Sequence, residues 1–143
     1  MTKREELERE YILKRLMAQG IAPDDLQPLR RISMTLRRWF ELECGTGSDT
    51  VSVSIERDEQ TDKPFCRTQY MGAGNKWIDR RIPVADREKG ALKRLDVFRA
   101  KYPQLVFYVQ GDPRGCALYA VPVASIREGE AVDSIYNRGI AIY

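Results

Sequence analysis

Residues 105–121 constrain the fold of this chain more than any other stretch. Leu105-Val-Phe-Tyr-Val109 and Cys116-Ala-Leu-Tyr-Ala-Val121 are two runs of strand-forming residues on either side of Gly111-Asp-Pro-Arg-Gly115. Asp112, Pro113 and Gly115 at the first, second and fourth turn positions are the chemistry of a type I turn. The stretch therefore predicts an antiparallel hairpin, and a hairpin of this length needs further strands or a helix to cover it.

Those strands are visible upstream. Val51-Ser-Val-Ser-Ile55 alternates with the period of a half-buried strand. Turn-forming residues follow through Asp58, Glu59, Asp62 and Pro64. A second strand is predicted near Phe65–Tyr70, a turn at Met71-Gly-Ala-Gly-Asn75, and a third strand near Lys76–Ile82. Connections this short exclude parallel crossovers and require an antiparallel meander. Trp77, alternating within its strand, is expected to pack in the core.

Three helices flank these strands. The first is predicted over about 3–19, with Thr2 and Glu5 at capping-box spacing and an imperfect stripe of Leu7, Tyr11, Leu13, Leu16 and Met17. Gly20 suits the left-handed position beyond its end, and Pro23 is expected to stop it. Its charged first half is expected to project or to pair with another chain. The second helix is predicted from Leu26 to about Cys44, with Leu29, Ile32, Leu36, Trp39 and Phe40 on one side. Arg30, Arg31, Arg37 and Arg38 share an arc of about 120° on the other side, and Glu41 is placed to pair with Arg37. The third helix runs from an Asp86 N-cap to Tyr102, ahead of Pro103, with Ala91, Leu95, Phe98 and Tyr102 inward. Gly90 in its first turns suggests a backbone passing close by.

Residues 126–134 read as a loop and Ile140–Tyr143 as a closing edge strand. The order α-α-β-β-β-α-β-β, with a final β, predicts an α+β fold: a mostly antiparallel sheet with helices packed on one face. The 143 residues fit a single domain, with residues 1–22 as an N-terminal helical segment and 26–143 as the α+β body.

The chain contains no histidine, which removes the usual general base near neutral pH and the commonest metal ligand. Three cysteines, Cys44, Cys66 and Cys116, are too few for a zinc site built from thiolates and are expected to be buried and reduced. There is no phosphate-cradling glycine loop. No catalytic residue, metal or cofactor is expected. Asp49, Glu56 and Asp58 form a weak acidic grouping that lacks the lysine a metal-dependent nuclease uses. No apolar run suits a signal peptide or a membrane span, so no membrane partner and a cytoplasmic address are expected.

The string Tyr108-Val-Gln-Gly-Asp-Pro-Arg-Gly-Cys-Ala-Leu-Tyr119 resembles a group of short, largely uncharacterised proteins of tailed bacteriophages and prophages. Glu56-Arg-Asp-Glu with Lys63-Pro64, Asp86-Arg-Glu-Lys-Gly-Ala-Leu-Lys-Arg-Leu95 and Tyr136-Asn-Arg-Gly-Ile-Ala-Ile142 extend the likeness over roughly residues 29–143. The resemblance implies a phage-associated origin in a bacterial host cell and assigns no activity to any residue.

Three functional expectations follow. The first is a non-enzymatic accessory protein that binds a host protein, such as a defence component, with Asp112, Arg114, Tyr136 and Arg138 as candidate contacts on turn tips. The second is a nucleic-acid-binding module using Arg30, Arg31, Arg37, Arg38, Arg87, Lys93, Arg94 and Lys101. Residues 76–101 alone carry nine basic against four acidic side chains, an excess of +5. The third is a small nucleotide binder or enzyme around Arg114, Tyr136 and Arg138, with Cys116 nearby. Association with a second copy of the chain is compatible with each. The distinguishing observation is where the arginines gather: a shared concavity favours a ligand, a continuous convex stripe favours nucleic acid, and dispersal favours neither.

Overall fold

The structure is a computed structural model that describes residues 2–40, 50–112, 115–131, 134–135 and 138–142. For residues 50–53, 70, 111–112 and 115–117 it describes the backbone alone. The elements are α1 (Lys3–Ala18), α2 (Pro23–Trp39), β1 (Thr50–Arg57), β2 (Pro64–Met71), β3 (Trp77–Pro83), α3 (Asp86–Lys101), β4 (Leu105–Asp112), β5 (Gly115–Pro122) and β6 (Ile140–Ile142).

The six strands form one antiparallel sheet in the order β3-β2-β1-β4-β5-β6. The fold is α+β, as the alternation of elements predicts. The meander β1–β3 and the hairpin β4–β5 each assemble from neighbours in sequence. They join where Val53 pairs with Gly111 and Ser54 with Gln110. The hairpin closes on the Asp112–Gly115 pair; residues 113–114, where the sequence predicts a type I turn, lie outside the described residues.

All three helices pack on one face of the sheet, α1 against β6, α2 against β5 and β6, and α3 against β4. Between them lies the core: Leu16, Leu29, Ile32, Leu36 and Phe40 from the first two helices, Ala91 and Leu95 from α3, and Phe107, Leu118, Ala120, Ile140 and Ile142 from the strands. Cys66 is buried in the same core, as expected of a reduced thiol; the side chains of Cys44 and Cys116 lie outside the described set. On the far face Tyr108 and Tyr119 stack with ring centroids 5.2 Å apart. Gly139 crosses this stack so closely that a Cβ there would come within 2.1 Å of the Tyr108 hydroxyl oxygen.

Helix α1 ends as its sequence directs. Thr2 and Glu5 form the capping box. Beyond Ala18, Gly20 takes φ of +92°, its N–H bonds Met17 O, and the Ile21 N–H reaches Leu16 O, with Leu16 and Ile21 both buried. Its inner side is narrower than the predicted stripe: Ile12, Leu13 and Leu16 face the core, while Leu7, Tyr11 and Met17 stay exposed. The first half of the helix is exposed except at Arg9, which is half-buried.

Four expectations need correction. Pro23 does more than end α1: it is the first residue of α2, where a missing N–H costs nothing, so α2 starts three residues before Leu26. The predicted C-terminal part of α2 beyond Phe40, with Glu41, lies outside the described residues. The N-cap of α3 is Ala85, and Asp86 is the first helical residue. A side chain at Gly90 would meet only Arg94 Nη1 at 3.6 Å, so no backbone passes close there. Trp77 is 53% exposed at the edge strand beside Met71, because the pleat directs it to the sheet face the helices do not cover.

One polar side chain inside the core ties these layers together. The Ser33 hydroxyl, on the buried side of α2, donates to Ile142 O at 2.6 Å and accepts the Leu118 N–H at 3.1 Å.

Candidate binding groove

Helix α2 lies between α1 and α3, so its arginines cannot share one face in space as they do on a helical wheel. With about 100° per residue, Arg30 and Arg37 fall on one flank and Arg31 and Arg38 roughly 80–120° away on the other. Arg30 and Arg37 turn toward α1, where with Arg9, Glu5 and Glu8 they rim a cleft of about 480 Å³ over Ile12, Leu13, Leu16 and Leu26. Burial and the nearby Arg9 guanidinium push the Arg30 pKa down.

Arg31 and Arg38 turn toward α3 and meet Arg87 and Arg94 across a groove of about 700 Å³. Its lining also includes Pro28, Ile32, Met34, Thr35, Val97 and Phe98. Ile32 is buried and Phe98 half-buried, whereas Met34 is 55% and Val97 63% exposed. Among the described residues, none of these four arginines has an acidic side chain within ion-pair distance.

The walls are aligned by a contact at one end of the groove. Lys101 Nζ of α3 lies 2.6 Å from Asp25 Oδ2 of α2, the Tyr102 hydroxyl donates to the same carboxylate, and the Ala22 N–H donates to that hydroxyl at 2.9 Å. Lys101 and then Tyr102 hold the Asp25 pKa down, while burial first and Asp25 second raise that of Tyr102. The start of α2 therefore lies at the end of α3, and the two helices run antiparallel. Counting about 1.5 Å per residue from this anchor, Arg31 is level with Arg94, and Arg38 with Arg87.

The sequence-derived nucleic-acid set is thus divided. Arg31, Arg38, Arg87 and Arg94 come together, Arg30 and Arg37 belong to the other cleft, Lys93 is exposed outside the groove, and Lys101 is held by Asp25. The second set is divided as well. Asp112 ends β4, and Arg114 and Tyr136 lie outside the described residues. Arg138 grips Glu130 through both terminal nitrogens and donates to Ser125 O at 2.8 Å, fastening the segment that crosses the tyrosine stack. Sequence reasoning offered no sign of Glu130, eight residues upstream of its partner in a loop.

The acidic grouping is likewise engaged with cations. Glu56 Oε2 lies 3.7 Å from Arg67 Nη1, Asp58 Oδ2 lies 3.8 Å from Arg81 Nη1, and Asp79 is joined to Arg67 at 2.6 Å. Asp49 lies outside the described residues. Among the described residues no three metal-ligating side chains cluster, and no described helix is long and apolar enough to cross a membrane.

The resolved carboxylate shifts set a pH expectation. Arg138, the Arg127 N–H and the Ser134 hydroxyl lower the Glu130 pKa from 4.5 to about 2. Lys101 and Tyr102 lower that of Asp25; the Thr61 and Gln60 N–H groups lower that of Asp58; Arg67 lowers that of Asp79. A depressed folded-state pKa stabilises the fold above the unfolded value and loses that contribution as pH falls through the folded one. With no histidine to titrate, stability should be level from about pH 6 to 7.5. It should decline once pH drops below about 4.5, and most of the Glu130 contribution should be gone near pH 2. Denaturant unfolding of wild type and Glu130→Gln across this range checks it. The variant should show a shallower acid limb, and identical slopes would contradict the assignment.

Comparison with protein-family models, with curated proteins and with solved structures finds no match to this chain.

Proposed function

We propose that this chain is a non-enzymatic binding protein, of phage or prophage origin, that engages an acidic segment of a host protein through the α2–α3 groove. One observation carries the reading: four arginines from two helices line one concavity, and among the described residues none of them has an acidic side chain within ion-pair distance. Like charges so placed repel one another, and the arrangement costs stability unless an anion fills it for at least part of the time. The surroundings favour protein over nucleic acid. Arginine and methionine are enriched in protein interfaces, and here they frame an apolar floor. Stacking on bases would need exposed aromatic rings among the charges, and the exposed Trp77 belongs to the edge strand β3. A host defence component is the class of target that the phage likeness suggests.

The test is affinity capture from a bacterial lysate on the immobilised full chain. A stoichiometric protein should be retained near 0.1 M salt and released toward 1 M, as the screening length falls from about 10 Å to about 3 Å. Recovery of no stoichiometric protein would count against the proposal. So would retention of duplex DNA alone with a salt slope of roughly −3.6, the value for four neutralised phosphates.

A further inference from the structure

Resting on that binding reading, we infer that the occupant of the α2–α3 groove is an amphipathic helix whose acidic residues recur at i and i+7 beside an apolar stripe. Arg31 and Arg38 are seven residues apart on α2, and Arg87 and Arg94 are seven apart on α3. Each pair therefore spans about 10.5 Å along its helix axis. The antiparallel alignment set by Asp25 and Lys101 brings these spacings into step. The result is two cross-groove arginine pairs, Arg31 with Arg94 and Arg38 with Arg87, one about two turns beyond the other.

A third helix laid between two packed helices sits about 8–10 Å from each axis. Its own residues i and i+7 are again about 10.5 Å apart on one side, so a single carboxylate can meet each arginine pair. Between them, residues i+3 and i+4 of the occupant come down on Ile32 and Phe98, and their neighbours cover Met34 and Val97. Both of those side chains line the groove and are more than half exposed. A small anion on the floor would leave them in water, whereas a helix covers them together with the floor.

Direct binding to the full chain separates this inference from the reading beneath it. Two dye-labelled helical peptides of about 15 residues and identical composition serve as probes, at about 0.15 M salt. One carries Glu at i and i+7 with Leu at i+3 and i+4; the other carries its second Glu at i+5, on a different face. A duplex of about 20 base pairs is the third probe. The i,i+7 peptide should bind at least tenfold more tightly than its isomer. Arg31→Gln and Arg38→Gln should each remove most of that preference, and Arg4→Gln, outside the groove, should remove none. Equal binding of both peptides, lost in the groove variants, would overturn the helix spacing and leave the acidic-segment reading standing. Binding of the duplex with neither peptide, or of no probe at all, would overturn both.

Discussion

Reversing both arginines on the α2 wall, Arg31→Glu with Arg38→Glu, is expected to abolish partner binding while leaving the protein as stable as wild type or slightly more so. The two effects have opposite signs for one reason. Each new carboxylate would face a guanidinium of α3, Arg94 or Arg87, and convert a repulsive pair into an attractive one. Exposed ion pairs contribute only about 0.2–1 kcal/mol each, so the gain in stability is small. An acidic partner would lose two attractive contacts and meet two repulsive ones. Binding should weaken at least about a hundredfold, or roughly 2.7 kcal/mol. The measurement is affinity for the captured partner alongside the thermal midpoint. Retained binding would place the interface elsewhere on the molecule. Lost binding accompanied by a large fall in midpoint would show these arginines supporting the fold, which their exposure does not suggest.

Ser33→Ala should produce the largest loss of stability for one oxygen atom. That hydroxyl links the Leu118 N–H and the Ile142 carbonyl, both on buried strand residues. Removing it strands two backbone groups away from water. At roughly 1–3 kcal/mol for each unsatisfied group, the total is about 2–6 kcal/mol. For a domain holding some 5–15 kcal/mol, this means a midpoint lower by on the order of 10 °C. Thermal unfolding by circular dichroism measures it. A change below about 0.5 kcal/mol would mean that the strand ends satisfy each other without the serine.

Both predictions concern residues whose identity was plain in the sequence and whose role was not. Signals completed within a few residues were legible: the capping box of α1, the left-handed Gly20, the strand β1, the Asp112–Gly115 reversal. Each is set by local sterics and hydrogen bonds, and the structure reproduces each where it is described. Relations between distant elements were not legible. The side-by-side pairing of β4 with β1 depends on which apolar faces are left after each hairpin has formed. The division of the α2 arginines depends on which helix packs on which flank. Ser33 is one small polar residue beside Ile32 in the α2 sequence, and its partners are 85 and 109 residues away. Trp77 obeyed its strand's alternation, but the alternation does not say which face of the sheet the helices will cover. Of the functional residues, the basic composition of α2 and α3 was visible. That only two from each helix meet in one groove was not.

The placement of β6 bears on how the protein is made. Ile140 and Ile142 complete the same core that Leu29, Ile32 and Leu36 begin, and 109 residues separate Ser33 from its acceptor. At about 5–20 residues per second of synthesis, that interval lasts roughly 5–20 s. For this time the oily side of α2 has emerged without its last covering strand. A nascent chain in this condition depends on chaperones or on transient self-burial until Ile140 and Ile142 have been added.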